Sequence, residues 1–303
     1  MPLSSDDTAV GYVGRFAPSP TGPLHFGSLL AAVASYLDAR ARRGRWLLRI
    51  EDIDPPREEP GAADAIVECL RAYGFMWDGP VLRQSRNRAR HEAAIEHLLD
   101  DGLAYPCRCT RKVLARTAKD GPLGRIYPGT CRDGSGAGAK AIRVRTTDAP
   151  ITVRDRLQGA IVQHLESELG DFIIRRADDL VAYQLAVVVD DAVDGITDVV
   201  RGIDLLDSTP RQIWLQRLLG LSTPTYMHIP IAVDASGAKL SKQTAAPAID
   251  QDAAAPTLVR ALRTLRQEPP ESLASESTET IWAWASANWE ANRLHALSTV
   301  PGG

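Results

Sequence analysis

The spacing of apolar residues in the first part of the chain alternates between the patterns of strands and helices. Gly11–Gly14 predicts a short buried strand, and the prolines and glycine at 18–23 then exclude regular structure. From Gly27 onward, apolar residues recur at helical spacing, which predicts a helix. Arg45–Ile50 predicts a second strand buried on both faces, and residues 62–73 predict a second helix. A strand, a tight loop and a helix in this order are typical of the start of a nucleotide-binding α/β unit.

The pattern changes in the middle of the chain and later returns to an α/β order. Apolar runs predict further strands at 142–145, 151–154, 172–174, 199–201 and 226–233. Helices are predicted after Pro210, from Leu258, and in a last segment that carries Trp282, Trp284 and Trp289. We expect an α/β fold in four parts: 11–100 and 176–240 as the halves of a nucleotide-binding domain, 101–175 as an inserted α+β subdomain, and 241–303 as a helical C-terminal subdomain.

The composition is that of a globular protein outside membranes. Of 303 residues, 44% are hydrophobic and 24% are charged, which suits one or two cores. The formal net charge of -3 gives no overall basic surface, so a nucleic acid would have to bind local patches. The basic segment 82–90 is one candidate for such a contact; the alternative is a solvated helix face. No apolar run spans a membrane, no signal peptide is recognisable, and only four cysteines occur, so we expect a cytoplasmic protein without a membrane partner.

The loop before the first helix has the chemistry of a phosphate site. A helix N-terminus carries partial positive charge and free N–H groups. His25 can donate a hydrogen bond to a phosphate oxygen, and Gly27 allows a ligand to approach the backbone closely. The loop is neither a dinucleotide fingerprint nor a Walker loop, because no Gly-Lys-Ser/Thr follows. A bare His-x-Gly is also compatible with an ordinary helix entry and a surface histidine.

Three cysteines are spaced as in a small zinc knuckle. Cys107 and Cys109 are one residue apart, and Cys131 follows a loop rich in glycine and proline. Zinc takes about four ligands and no histidine lies nearby, so the fourth ligand stays open, with Asp133 or water as candidates. Such a zinc ion would be structural. The alternative is a set of free cytoplasmic thiols.

The residues from Arg15 to Ser28 read Arg-Phe-Ala-Pro-Ser-Pro-Thr-Gly-Pro-Leu-His-Phe-Gly-Ser. This string resembles the first signature of the glutamyl and glutaminyl class I aminoacyl-tRNA synthetases, which implies a Rossmann-like catalytic domain. The family signature ends in a second histidine where this chain has Ser28, so catalysis is expected to depend more on other groups. Residues 48–57 are similar to the next block of the family, and the resemblance puts Glu51 near the ammonium group of a bound amino acid.

Two later blocks extend the resemblance to the second half of the chain. Residues 183–202 are similar to the glutamate-specific core of the family, and residues 239–243 resemble its second signature. The resemblance implies that glutamate is bound by Arg15, Phe16, Ala17, Pro18, Ser19, Glu51, Tyr183 and Arg201. It implies that ATP is bound by His25, Gly27, Ser28, Lys239 and Lys242, of which His25, Lys239 and Lys242 are expected to be catalytic.

The details of three motifs resemble one branch of the family, which glutamylates queuosine in tRNA(Asp). These motifs are His-Phe-Gly-Ser, the Cys-x-Cys segment and Lys-Leu-Ser-Lys-Gln. By this resemblance Tyr127 would join Cys107, Cys109 and Cys131 as a zinc ligand, within an insertion that corresponds to an acceptor-binding subdomain. The residues after the second signature are too few for the large anticodon-binding region of ordinary glutamyl-tRNA synthetases, so we expect no tRNA selection by that route.

The resemblance implies a ligase reaction in two steps. ATP with Mg²⁺ would activate L-glutamate to glutamyl-adenylate without tRNA, and the glutamate would then pass to the queuosine base of tRNA(Asp). We expect a monomer with one structural zinc ion per chain. Four alternatives stay open: a minimal glutamyl-tRNA synthetase that charges a tRNA 3′ end, a nucleotidyltransferase of the same superfamily, a non-catalytic tRNA-binding paralogue, and a zinc-stabilised interaction module.

Overall fold

The computed structural model describes residues 11–234, 237–240 and 247–302. The first elements are β1 (Val13–Phe16), α1 (Phe26–Ala41), β2 (Arg45–Ile50), α2 (Ala62–Ala72), β3 (Leu82–Arg83) and α3 (Arg88–Asp100). The three strands form a parallel sheet in the order β1-β2-β3. The strand predicted at Gly11–Gly14 begins later, at Val13, and continues to Phe16. All residues of β1 are buried, as predicted. β2 lies where the apolar run predicts it.

An insertion of short strands follows this first unit. Its elements are β4 (Ala104–Cys107), α4 (Arg111–Thr117), β5 (Lys119–Gly121), β6 (Gly124–Ile126), β7 (Ala141–Val144), β8 (Ile151–Asp155), β9 (Gly159–Gln163), α5 (Leu165–Glu168) and β10 (Phe172–Arg175). One antiparallel sheet has the order β10-β7-β4. The hairpin of β8 and β9 instead extends the sheet of the second half, because Asp155 pairs with Tyr226 there.

The second half adds parallel strands beside β1. Its elements are α6 (Tyr183–Val193), β11 (Asp198–Gly202), α7 (Thr209–Leu218), β12 (Thr225–Ile229) and β13 (Ile231–Val233). β11 and β12 are parallel, and the amide of Thr197 donates to the carbonyl of Val13 at 2.9 Å, which joins the two halves. The single strand predicted at 226–233 was wrong: it is interrupted at Pro230, which has no amide N–H to donate to a ladder.

The C-terminal residues pack on the same core as the first half. They form α8 (Ala254–Thr264), α9 (Thr278–Asn288) and β14 (Thr299–Pro301), and β14 pairs in parallel with β13. Trp282 is buried against Tyr36 of α1 and Phe75, as expected for a docking face. Trp289 lies just after the end of α9, not on it as predicted. Within the described ranges, every helix is too short or too polar to cross a membrane.

Candidate active site

Polar side chains from several element ends meet in one cavity of about 450 Å³. Arg15 is near the carboxyl end of β1, Glu51 directly follows β2, and Arg201 is near the end of β11. The carboxyl edge of parallel strands is where open α/β sheets bind their ligands. The predicted site residues that line the cavity are Arg15, Phe16, Ala17, Pro18, Ser19, His25, Gly27, Ser28, Glu51, Tyr183, Arg201 and Lys239. Lys242 lies outside the described residues.

His25 caps the amino end of α1 and contacts Ser28 twice. Its Nδ1 accepts a hydrogen bond from the Ser28 amide at 3.3 Å, and its Nε2 lies 2.9 Å from Ser28 Oγ. Because an amide can only donate, a neutral ring carries its proton on Nε2 and donates it to Ser28 Oγ. Ser28 then retains its own hydroxyl hydrogen as a donor. The residue that replaces the second signature histidine therefore adds a donor beside the helix N-terminus.

A neighbouring chain segment explains the glycine at position 27. A Cβ atom on Gly27 would lie 2.8 Å from the carbonyl oxygen of Leu240. This close approach brings Lys239 to the edge of the cavity near the start of α1. The Lys239 ammonium is 2.6 Å from a carboxylate oxygen of Asp204, which also lines the cavity. The site thus holds a lysine and a paired carboxylate beside the helix N-terminus.

Arg15 belongs to a buried network of charges. Its Nε donates to Asp191 of α6 at 3.2 Å. Arg49 is fully buried and reaches the same Asp191 oxygen from Nη2 at 2.6 Å, while its Nη1 lies 2.8 Å from Asp194. Arg49 Nη2 is also 3.4 Å from Glu51. Arg15 and Arg49 are therefore neutralised by carboxylates that the protein supplies.

Arg201 has a different set of partners, none of which is an anion. The residue is 5% exposed. Its Nε donates to His228 Nε2 at 3.0 Å, its Nη2 donates to Thr209 Oγ1 at 2.8 Å, and its Nη1 is 3.5 Å from the Tyr183 hydroxyl. In the described part of the chain, no carboxylate lies within 4.0 Å of this guanidinium. A buried cation without a counter-ion next to a cavity attracts an anionic ligand.

Burial governs the ionisation of the acidic groups at this site. Burial raises the pKa of Glu51, and Arg49 and Arg15 offset this only in part. Burial also opposes the ionisation of Asp191, but Arg15 and Arg49 outweigh it and lower the pKa of that carboxyl. The pKa of Tyr183 is raised by burial, so its hydroxyl remains a donor. Asp191 is therefore ionised, and a cationic ligand group beside Glu51 would stabilise the ionised form of that carboxyl.

The three predicted metal-binding cysteines converge in the insertion. The sulfur atoms of Cys107, Cys109 and Cys131 all lie within 4.8 Å of one another, a grouping that suits a metal ion. The Tyr127 hydroxyl oxygen is 3.5 Å from the Cys107 sulfur and 3.8 Å from the Cys109 sulfur. Asp133 is exposed and is not part of this group. Cys69 is buried in α2, apart from the cluster.

The basic segment 82–90 is partly neutralised. Arg83 pairs with Asp64 at 3.1 Å, and Arg88 pairs with Asp179 at 3.3 Å. Arg86, in the middle of the same segment, is exposed. Contact of this segment with a nucleic acid stays a prediction.

Three buried residues of the site were not found from the sequence. Asp191 lies 176 residues from Arg15, and His228 and Asp155 lie behind Arg201 on two adjacent strands. Asp191 stands within the block 183–202, but the pattern gave no reason to pair it with Arg15. His228 occupies a strand position at which a buried aromatic side chain is unremarkable, so no sequence signal marks it.

Sequence comparisons with known proteins all identify the same protein family. A family model for the catalytic domain of class I tRNA synthetases (E and Q) matches residues 12–256. A protein from Dechloromonas aromatica named Glutamyl-Q tRNA(Asp) synthetase is 57% identical over 293 residues, which cover 95% of this chain and 97% of that protein. A protein of the same name from Pseudomonas aeruginosa is 56% identical over 291 residues and covers 96% and 97% of the two chains.

A solved structure shares the fold. The crystal structure of a glutamate tRNA ligase from Elizabethkingia meningosepticum, in complex with its amino acid, superposes with a TM-score of 0.77. The superposition covers 96% of this chain and 67% of that chain, at 23% sequence identity. At this identity the likeness establishes the fold alone.

Proposed function

Because the chain belongs to the glutamyl-Q tRNA(Asp) synthetases, within the class I tRNA synthetases for glutamate and glutamine, we propose that it activates L-glutamate with ATP and transfers it to queuosine in tRNA(Asp). The activation step needs no tRNA. In this proposal, residues 11–100 and 176–240 form the catalytic domain, 101–175 form an acceptor-binding insertion, and 241–303 form a C-terminal subdomain.

The observation that carries the proposal is the unpaired charge of Arg201. This guanidinium is buried, faces the cavity beside Tyr183, and has no carboxylate partner within 4.0 Å among the described residues. A glutamate carboxylate supplies the missing anion, and the Arg201 and Tyr183 donors suit its two oxygens. Glu51 lines the same cavity, where its carboxylate would bind the ammonium group. Phe16, Ala17, Pro18 and Ser19 line the same cavity and would contact the bound glutamate.

In the first step, a carboxylate oxygen of glutamate attacks the α-phosphorus of ATP, and the bond from that phosphorus to pyrophosphate breaks. The Ser28 hydroxyl and the amides at the start of α1 would bind phosphate oxygens, and His25 would exchange its hydrogen bond to Ser28 Oγ for one to a phosphate oxygen. Lys239 and Lys242 would stabilise the charge that moves onto pyrophosphate, and the Mg²⁺ that accompanies ATP would share it. Positioning and charge stabilisation thus supply most of the rate.

In the second step, a hydroxyl of the queuosine cyclopentene ring attacks the glutamyl carbonyl. The ester bond forms, the bond from the carbonyl carbon to the phosphate oxygen of AMP breaks, and the hydroxyl proton passes to the departing AMP or to water.

We propose that the cysteine cluster holds a structural zinc ion, with Tyr127 as the fourth ligand. Ligands about 2.3 Å from a tetrahedral zinc lie about 3.8 Å from each other. The Cys109 and Cys131 sulfurs are 3.6 Å apart, and the Tyr127 oxygen is 3.5 and 3.8 Å from two sulfurs, which supports this ligand set. The ion would fix the insertion and take no part in the chemistry.

The test has two parts. Purified protein should catalyse ATP–pyrophosphate exchange that depends on glutamate and not on tRNA. It should then transfer labelled glutamate to tRNA(Asp) that carries queuosine, but not to tRNA(Asp) without it. Arg201→Ala should lower kcat/KM for glutamate by about 100-fold or more. Arg217→Ala, which removes an exposed arginine of α7, is the matched control and should have no effect.

Two of the alternatives have their own outcomes in these assays. Transfer to the 3′ end of tRNA(Glu), with no dependence on queuosine, would identify a minimal glutamyl-tRNA synthetase. An absence of glutamate-dependent exchange, in a protein that still binds tRNA, would identify a non-catalytic paralogue.

A further inference from the structure

A buried histidine–aspartate pair lies behind Arg201, outside the cavity. His228 Nδ1 is 2.6 Å from Asp155 Oδ2, and both side chains are 0% exposed. On its other side, His228 Nε2 is 3.0 Å from Arg201 Nε. His228 lies on β12 and Asp155 ends β8, so the pair joins two adjacent strands of one sheet.

Hydrogen-bond chemistry fixes the proton on this histidine. An arginine Nε–H can only donate, so His228 Nε2 must accept. A neutral imidazole then carries its single proton on Nδ1, where it donates to Asp155. Burial lowers the pKa of His228, and the nearby Arg201 adds to this, while Asp155 opposes it. The neutral ring is therefore the form that the surroundings favour.

Asp155 is held as an anion in one orientation. Its Oδ1 accepts hydrogen bonds from the amides of Leu157 and Gln158, each at 2.9 Å, and its Oδ2 lies 3.1 Å from the amide of His228. Burial opposes ionisation, but these bonds and the His228 ring outweigh it and lower the pKa of Asp155. A carboxylate with this many fixed donors does not rotate freely, so it fixes the ring plane of His228.

We propose that Asp155 and His228 are positioning residues, which orient the Arg201 guanidinium for the substrate carboxylate without touching the substrate. This inference rests on the proposed role of Arg201 in glutamate binding. His228 and Thr209 occupy the Nε and Nη2 side of the guanidinium, and Nη1 is directed toward Tyr183 in the cavity wall. Without the His228 acceptor, Arg201 loses the bond that sets this orientation.

A second buried histidine–aspartate pair provides a matched control. His91 Nε2 lies 2.8 Å from Asp190 Oδ1, and both residues are almost fully buried. Asp190 also accepts from Gln84 and Asn87, and no arginine hydrogen-bonds to this histidine among the described residues. A variant of His91 therefore removes a similar buried pair while leaving the contacts of Arg201 intact.

The experiment compares His228→Leu, His228→Gln, His228→Asn and Asp155→Asn with His91→Leu. For each full-length variant, KM for glutamate, KM for ATP and kcat of the exchange reaction are measured, together with the thermal midpoint. Loss of a hydrogen bond to a charged group predicts a glutamate KM about 10- to 100-fold higher in His228→Leu, with ATP KM within about threefold. His228→Gln can place an amide oxygen near the Nε2 position and should recover part of the loss, whereas His228→Asn should not.

The outcomes separate positioning from general stability. A folded His228→Leu with unchanged glutamate KM, or an equal rise in His91→Leu, overturns the proposal. If His228→Leu does not fold, the Gln and Asn variants decide: equal KM values, or a lower value for Asn, overturn it. If the unmodified protein shows no glutamate-dependent exchange, the proposed function itself has failed. In that case the glutamate affinities of the same variants, measured by calorimetry, still test the expected order, in which His228→Gln binds glutamate more tightly than His228→Asn and His228→Leu.

Discussion

Asp191→Asn should weaken both the fold and glutamate binding, because one carboxylate serves two buried arginines. Asp191 Oδ1 lies 3.2 Å from Arg15 Nε and 2.6 Å from Arg49 Nη2. The side chains are 4%, 0% and 10% exposed for Arg15, Arg49 and Asp191, so water does not replace the lost charge. An asparagine keeps one acceptor oxygen but leaves the two guanidinium groups with less negative charge around them.

The magnitude follows from the partners that remain. Removing one member of a buried ion pair costs about 3 to 5 kcal/mol, and the lower end applies because Arg49 retains Asp194 and Glu51. At about 2 °C per kcal/mol for a chain of this size, the thermal midpoint should fall by about 6 °C. Asp191→Asn also weakens the hydrogen bond that orients the Arg15 guanidinium beside the cavity, so the glutamate KM should rise about 10-fold.

Thermal unfolding and glutamate-dependent exchange test this reasoning together. The pKa of Asp191 is lowered in the fold, so its contribution to stability is present above the unfolded pKa of about 4 and is lost as pH falls through the lower folded value. The difference between the variant and the parent protein should therefore shrink below about pH 4.

The control for this prediction is Asp194→Asn. Asp194 pairs with Arg49 at 2.8 Å but not with Arg15, and burial raises its pKa, so neutralising it should cost less stability and leave the glutamate KM unchanged. An Asp191→Asn protein with the parent's midpoint and KM would refute the reasoning, as would identical effects of the two variants.

Three further perturbations test other parts of the site. Cys109→Ser should lower the bound zinc, measured by mass spectrometry, and lower the thermal midpoint; full zinc retention would contradict the ligand set. Gly27→Ala should raise the ATP KM, because its Cβ would lie 2.8 Å from the Leu240 carbonyl; an unchanged ATP KM would contradict this contact. The kcat/KM for glutamate should fall as pH is lowered toward the raised pKa of Glu51. Glu51→Gln should remove this fall at acidic pH. The same fall in the variant would show that another group causes it.

Residues that line the cavity were predictable because they stand in short motifs that resemble the family signatures, whereas spacing alone also allowed an ordinary helix entry at His25. His25, Gly27 and Ser28 follow one another at a helix start, and Glu51 comes directly after an apolar strand. Motifs of this kind are recognisable in a single sequence, because their residues lie close together along the chain. The cysteine cluster was predictable for the same reason, because metal ligands have a characteristic spacing.

The supporting residues were not predictable, because their partners lie far away in sequence. Asp155 and His228 are 73 residues apart and meet only because β8 pairs with β12. The single strand predicted at 226–233 did not include the interruption at Pro230. After Pro230, β13 pairs with the C-terminal β14 in a different sheet. Tertiary pairing decides these contacts, and neither hydrophobic period nor residue type reports it.

The two cavity arginines, Arg15 and Arg201, have different partners, which indicates different roles in glutamate binding. The carboxylate that attacks ATP loses its negative charge when the anhydride forms. A buried cation without a counter-ion would therefore stabilise the ground state of that group more than the transition state, and the reaction would be slower. The side-chain carboxylate of glutamate keeps its charge throughout, and such a cation binds it equally before and after the reaction. Arg201 has no described carboxylate partner, whereas Arg15 already shares Asp191, so the charges favour Arg201 as the partner of the side-chain carboxylate. Neutral glutamine would leave that guanidinium buried without an anion, which makes the same contact a basis for rejecting it.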